Sequence, residues 1–387
     1  MILFLLVFFS LYGGLHLYTF LKLKNTFTLT QATLIPLALF MLLMTFAPLI
    51  IRISERGGLE FFAQGLSWIC YLWMAVIFLF FSFSVFSDIC LNCYFRHQCI
   101  FKFIAKNTTI TLQELLLSTS IIGRISFFIS LFLSVSLTIY GYVDALNIRL
   151  ERIEIKTDRI GRSLRIVQIS DVHLGLIVRE GRLKRILEKV REANPDMVVS
   201  TGDLVDGQID RLEGLAELLK EVNPPYGKYA ITGNHEFYAG LKQALAFTEK
   251  AGFTILRGEA VYLPELKLTI AGVDDPAGRR YGLTIEIPEE RLLKNLSGEG
   301  FVLLLKHRPI VESSSKGLFD LQLSGHTHKG QIFPFTILTS LYYKKDSGFL
   351  KDMNGVYLYV SRGAGTWGPP VRVFAPPEIT VIDIVKK

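Results

Sequence analysis

Four long stretches without Asp, Glu, Lys or Arg dominate the first third of the chain. They cover residues 1–21, 32–51 (between Lys24 and Arg52), 64–87 and 125–143 (between Arg124 and Asp144). Crossing the hydrocarbon core of a bilayer takes roughly 17–25 mainly apolar residues in a helix, and every run reaches that length. A soluble core sometimes buries one such helix. Four in succession predict an all-α transmembrane region of about four helices over residues 1–143. Run 1–21 lacks a basic start and a small-residue cleavage motif, so it reads as a retained helix rather than a signal peptide. Pro36 and Pro48 fall inside the second run and are expected to kink or end it, which neighbouring helices can tolerate. No charged residue stands mid-run, which argues against an ion path or proton relay. His16 reads as a packing residue.

From about residue 150 short apolar runs alternate with amphipathic segments. Leu164–Ser170 has the pattern of a strand. Arg179–Ala193 follows, with Leu183, Ile186, Leu187 and Val190 on one helical face, and Asn194-Pro195 ends it. Strands are predicted at Met197–Ser200, Lys228–Thr232, Thr254–Leu256, Lys267–Val273, Phe301–Leu305, Asp320–Leu323, Val356–Val360 and Ile379–Ile384, with helices at Leu212–Val222 and Leu241–Ala251. Strand–helix alternation that turns strand-rich predicts a layered α/β sandwich over residues 150–387.

The charge distribution sharpens the division. The whole chain is 50% hydrophobic and 20% charged, with a net charge of +7. Residues 1–143 carry eight basic and four acidic side chains, and the remaining 244 residues carry 34 and 31. That near balance gives no electrostatic drive towards nucleic acid, so none is expected as a partner. Around the apolar runs, Lys22, Lys24, Arg96, Lys102, Lys106 and Arg124 fall on one side. Arg52, Arg56, Arg149, Arg152, Lys156, Arg159 and Arg162 fall on the other, and the positive-inside rule then places the globular part in the cytoplasm. All four cysteines lie in the first part. Cys90, Cys93, His97 and Cys99 are crowded compared with a zinc finger, and the three cysteines read as plain juxtamembrane thiols. The globular part has no cysteine and needs no disulfide.

The strand ends carry the chemistry. They deliver Asp171 and His173, Asp203 and Asp206, Asn234 with His235 and Glu236, His307, and finally His326 and His328. Five of the seven histidines of the chain stand at these positions. Carboxyl ends of strands converge on one crevice in an open α/β sheet. Carboxylates and imidazoles gathered there are costly to bury without a shared partner.

In order, the sequence reads Asp-x-His, Gly-Asp-x-x-Asp, Gly-Asn-His-Glu, a lone His after a strand and Gly-His-x-His. The chain thereby resembles the calcineurin-like metallophosphoesterases over roughly residues 150–387. Gly330-Gln331-Ile332, Ser361–Thr366 and Pro376-Pro377-Glu378-Ile379 resemble a bacterial branch that often carries N-terminal membrane segments. The resemblance implies a four-layer αββα sandwich and a metal-dependent phosphoric ester hydrolase, working through a hydroxide held between two metals. Carried over, Asp171, His173 and His328 hold one divalent ion; Asn234, His307 and His326 hold the other; Asp203 bridges them. With no thiolate among the ligands the set suits Mn, Fe, Co or Zn. By the same resemblance His235 is a catalytic non-ligand that stabilises phosphoryl charge or protonates the leaving group. Asp206 orients it. Arg362 is expected to approach substrate phosphate, and Glu236 to start a helix. The protein Ser/Thr phosphatases have Arg where Gly207 stands here, so a phosphoprotein substrate is not expected. A phosphoester or phosphodiester is, and membrane lipids beside the domain favour a lipid-linked one. Two other readings stay open: a UDP-2,3-diacylglucosamine pyrophosphatase of lipid A synthesis, and a catalytically silent scaffold.

Overall fold

The computed structural model describes residues 2–105, 112–207, 212, 214–284, 287–296, 300–351 and 356–387, with side chains throughout except at 2–4, 94–105 and 112–120. The chain divides into two compact units, Met1–Tyr140 and Gly141–Lys387.

Helices α1 (Ile2–Thr26), α2 (Gln31–Arg56), α3 (Glu60–Ala105) and α4 (Leu112–Leu146) account for the first part of the chain. All four contain a stretch long and apolar enough to cross a membrane: Leu5–Thr26, Gln31–Arg56, Glu60–Cys93 and Ile121–Leu146. Pro36 and Pro48 are accommodated within one continuous α2. The helices outrun the uncharged stretches, because a lysine or aspartate near a helix end continues the backbone while its head finds a partner. Here Lys22 of α1 pairs with Asp88 of α3, which also accepts from the Tyr18 hydroxyl at 2.6 Å. His16 is buried and satisfied twice. The Trp73 indole donates to its Nε2 at 3.0 Å, so Nδ1 carries the proton given to the Tyr12 carbonyl at 2.8 Å. Cys90 and Cys93 are exposed free thiols. The side chains of His97 and Cys99 lie outside the described residues, and so does the question of a shared site.

The second unit is built on two six-stranded mixed sheets. The first contains β1 (Arg149–Thr157), β2 (Leu164–Ile169), β3 (Met197–Ser200), β4 (Lys228–Ala230), β5 (Thr254–Ile255) and β12 (Glu378–Lys386), in the order β1-β12-β2-β3-β4-β5. The second contains β6 (Glu259–Leu263), β7 (Leu268–Gly272), β8 (Phe301–Leu305), β9 (Leu321–Ser324), β10 (Gly348–Lys351) and β11 (Tyr357–Val360), in the order β10-β11-β9-β8-β7-β6. Strands β2 to β5 run parallel, as do β7, β8, β9 and β11. The strands alternate their apolar side chains between two cores, as period-two patterning requires. Ile166, Val199, Ile270, Leu303, Leu323 and Ile382 face the neighbouring sheet. Val167, Ile169, Val198 and Val381 face outward, where α5 (Glu180–Glu192) covers them with the Leu183–Ile186–Leu187–Val190 stripe. Helices α6 (Leu215–Lys220), α7 (Asn234–Ala239) and α8 (Leu241–Lys250) follow, with α6 and α8 in that same outer layer. On the far side α9 (Glu289–Lys294) packs Leu292 and Leu293 on Ala271, Val302 and Leu304. The layers are thus helix, sheet, sheet, helix. A last helix, α10, covers Phe335–Tyr342.

Strands β1, β6 and β10 were not read from the sequence. All three are sheet edges. An edge strand pairs on one side only and tolerates charge on the other, so its hydrophobic signal is weak. The basic residues at 149–156 belong to such a strand.

Candidate metal centre

The carboxyl ends of β2, β3, β8 and β9, with the N-terminus of α7, deliver their polar side chains to one place. His173 Nε2 lies 3.0 Å from His328 Nε2 and 3.8 Å from Asp203 Oδ2, and His328 Nε2 lies 3.4 Å from Asp171 Oδ1. On the other side of Asp203, His307 Nε2 is 3.3 Å from Oδ2 and 3.2 Å from His326 Nδ1. Among the described residues, three sets each bring three ligand atoms within 4.8 Å of one another: Asp171, His173 and His328; His173, Asp203 and His235; Asp203, His307 and His326. Asp203 and His173 each belong to two of them. Asn234 is buried beside its chain neighbour His235, and its Oδ1 has no hydrogen-bond partner among the described residues.

The backbone is bent to achieve this. Asp171, His173, Asp203, His326 and His328 all have positive φ, between 47° and 72°. A non-glycine residue there costs of order 1–3 kcal/mol and persists only where surrounding contacts impose it. Close approach of neighbouring loops adds two glycine requirements. A Cβ on Gly233 would lie 2.2 Å from Asp203 Oδ1, and one on Gly325 would lie 2.0 Å from Ser170 Oγ.

Outer contacts fix each group. The His307 Nδ1–H donates to the Thr201 carbonyl at 2.7 Å, turning Nε2 towards Asp203. Asp171 accepts from Ser170 Oγ at 2.5 Å and from the backbone N–H of His326 at 3.0 Å. Asp203 Oδ1 accepts the backbone N–H of His235 at 2.8 Å. Nδ1 of His235 donates to Asp206, 2.8 Å from its carbonyl oxygen and 3.0 Å from its carboxylate, which leaves Nε2 uncommitted. The same carboxylate lies 3.4 Å from Nδ1 of His173.

Two residues have more to do than their sequence positions suggest. Glu236 sits in the first turn of α7 as expected, but its buried carboxylate also accepts the N–H groups of Asp203 (3.0 Å), Leu204 (2.8 Å) and Gly233 (2.6 Å). It clamps two ligand loops together. Arg372, fully buried, gives its guanidinium to the carbonyls of Gly365, Arg362 and His328 and reaches Nδ1 of His328 at 3.0 Å. Its neighbourhood (Val-Arg-Val) reads as ordinary core, so only the fold exposes its part. Arg362 is a correction. Its guanidinium is held by the carboxylates of Glu151 and Glu378 and is not free to approach a phosphate. Arg308, next to His307 and half-exposed, is likewise gripped by a carboxylate, that of Asp275, through two hydrogen bonds of 2.8 and 3.0 Å.

The electrostatics call for positive charge. Burial alone would lower His307, yet Asp203 and Asp171 overcome it and raise the imidazole to about 10. His235 behaves alike, lifted to about 10 by Asp203 and Asp206 against burial. Burial would raise Asp203, but His307 and His235 hold it well below the usual carboxylate range. Burial and the neighbouring His307 push His326 down to about 3, and burial and Arg372 push His328 well below 6.5. Clustered carboxylates and imidazoles, those of His326 and His328 held neutral, make a donor set that fits divalent cations.

The calcineurin-like phosphoesterase family model matches residues 164–330. A metallophosphoesterase of Aquifex aeolicus is 42% identical over 261 residues, 66% of this chain and 99% of that protein. One of Helicobacter pylori is 34% identical over 245 residues, 62% of this chain and 64% of the other. A protein of Danio rerio named transmembrane protein with metallophosphoesterase domain is 35% identical over 270 residues, 66% and 61% of the two chains. The chain therefore spans somewhat under two thirds of the length of the last two. It belongs to the calcineurin-like phosphoesterase family. It is a metal-dependent phosphoric ester hydrolase with bacterial relatives, and its four apolar helices associate it with a membrane.

Proposed function

We propose that this chain is a two-metal phosphoesterase that cleaves a phosphoester or phosphodiester at a membrane, with a lipid-linked ester as its substrate class. The reading rests chiefly on one observation: Asp203 shares one group with His307 and His326 and another with His173, which is itself grouped with Asp171 and His328. Asp171, His173 and His328 would hold one cation, Asn234, His307 and His326 the second, and Asp203 both. Divalent cations so held act as Lewis acids on phosphoryl oxygens and bring water towards hydroxide near neutral pH.

The chain's own groups supply the rest. Asp206 fixes His235 with its proton on Nδ1 when the ring is neutral and stabilises the imidazolium when it is charged. The doubly protonated ring then offers Nε2–H to the departing oxygen. Thr201, Ser170 and Glu236 hold His307, Asp171 and the Asp203 loop still, so that little reorganisation accompanies the reaction. Arg308, held by Asp275, places positive charge beside His326. The apolar helices keep the enzyme with lipid substrates, and the seven-to-six distribution of basic residues supports a cytoplasmic globular unit.

The test is hydrolysis of bis(4-nitrophenyl) phosphate by the purified full chain after loading with Mn, Fe, Co or Zn. Nitrophenol release that depends on the added metal is expected; no release with any of the four would overturn the hydrolytic reading. A parallel screen of lipid and nucleotide phosphoesters in mixed micelles assigns the substrate class.

A further inference from the structure

Beside the metal centre the globular unit leaves an apolar helix uncovered. Helix α10 starts just after the loop that carries His326 and His328. Its first turn sits so close to Gly330 that a Cβ there would lie 2.6 Å from Thr336 Cα. Thr339 is its buried residue. Phe335, Ile337, Leu338, Leu341 and Tyr342 are all exposed, the last two by 78% and 79%. Five large apolar side chains on an eight-residue helix exceed the scattered exposure that soluble surfaces tolerate.

The apolar surface continues on both sides. Before α10, Ile332 bridges to Val373 and the Phe333 ring lies 5.8 Å from that of Phe374. The Gln331 amide donates to the carbonyls of Trp367 (2.9 Å) and Pro369 (3.0 Å). These contacts bring the exposed rings of Trp367 and Phe374 alongside. After α10 comes the exposed edge strand β10 with Phe349 and Leu350. Lysines border the patch at 344, 345 and 351, and none of them has a salt-bridge partner among the described residues. The one acid on the connecting loop, Asp346, is already hydrogen-bonded by Ser340 (2.5 Å) and Ser347 (3.3 Å).

We propose that α10, with Trp367 and Phe374, is a bilayer-docking surface that inserts shallowly into an anionic leaflet beside the metal centre. Two features select a bilayer as the occupant. The same chain carries four helices able to cross a membrane, so lipid is always within reach of the globular unit. The apolar face is rimmed by lysines and amphipathic aromatics, a composition that seats apolar groups below the headgroups and cations among anionic ones. The patch adjoins the catalytic cluster: the Trp367 ring lies 6.1 Å from His235, the Tyr343 ring lies 6.1 Å from His326, and Thr327 Oγ1 donates to the Asp346 carbonyl at 2.5 Å. The inference rests on membrane association alone and stands or falls separately from the hydrolytic reading.

The test uses the full chain with its four cysteines replaced by Ala, reconstituted in vesicles of phosphatidylcholine with 30 mol% (about one lipid in three) phosphatidylglycerol. A bimane label is placed either by Leu341→Cys or, on the exposed face of α5, by Lys184→Cys. Doxyl-labelled lipid should quench the 341 label several-fold more than the 184 label, and the excess should shrink in pure phosphatidylcholine. Equal quenching at the two positions would overturn the proposal. So would a 341 label shielded from solvent but untouched by lipid, with 341–341 disulfide crosslinking, because a second copy of the chain would then cover the helix. Quenching that ignores phosphatidylglycerol would overturn its electrostatic part. Metal content measured on each labelled protein guards against misfolding.

Discussion

The helical and globular units spend their polar groups in different ways. Hydroxyls in the helical unit mostly turn back onto their own helix: Thr45 donates to the Met41 carbonyl, Ser67 to that of Ala63 and Thr138 to that of Ser134. Such bonds satisfy a side chain in lipid without joining distant parts of the chain. In the globular unit, residues 33 to 155 positions apart meet within a few ångströms, as Asp203 meets Glu236 and His173 meets His328. The first arrangement satisfies polar groups where they stand. The second concentrates buried charge at one point, and such a point is stable only with counter-charge. Composition thus says where the protein resides, whereas residues at strand ends say what it does.

The comparison predicts that damage to the centre abolishes chemistry and damage to the helical unit spares it. Removing divalent metal by chelation should have the largest effect, eliminating hydrolysis of bis(4-nitrophenyl) phosphate, with recovery on adding one of Mn, Fe, Co or Zn back. His235→Ala should come next, lowering kcat by about 10²–10⁴ as loss of a general acid does. Its metal content, read by mass spectrometry, should stay at the wild-type value. A fully active variant would remove His235 from the mechanism.

Smaller effects sharpen the contrast. Asp206→Asn keeps a hydrogen-bond acceptor but loses the charge behind His235 and His173, and should cost roughly 10–100-fold in activity or metal affinity. Gly325→Ala forces a methyl against Ser170 Oγ, and should destabilise the globular unit by about 1–3 kcal/mol in denaturant titration. Smallest is Trp73→Phe in the helical unit. It removes the donor to His16 for about 0.6 kcal/mol, the usual worth of such a bond between membrane helices, and should leave turnover unchanged. A large loss of hydrolysis in that variant would show that the helical unit shapes the catalytic centre.

Most of this division was legible in the sequence. The apolar runs and strand-end motifs each lie within a few consecutive residues, so pattern alone reveals them. What escaped reading depends on partners remote in sequence. Arg362 looked free for phosphate until Glu151 and Glu378 stood beside it. Glu236 looked like a helix-start residue, and only the fold places the Asp203 loop within its reach. Lys22 and Asp88 looked like ends of apolar runs, although 66 residues apart they pair across two helices. Arg372 is fully buried among backbone carbonyls, which no local pattern announces. Edge strands β1, β6 and β10 escaped for the opposite reason, their half-paired positions demanding too little apolar character to stand out.

Counting bound metal tests the central claim most directly. The full chain, purified in detergent, loaded with Mn and freed of excess, should carry two ions per polypeptide by mass spectrometry, and Asp203→Ala should carry fewer. One ion or none in the unaltered chain, or two in the variant, would contradict a pair of cations gathered about Asp203.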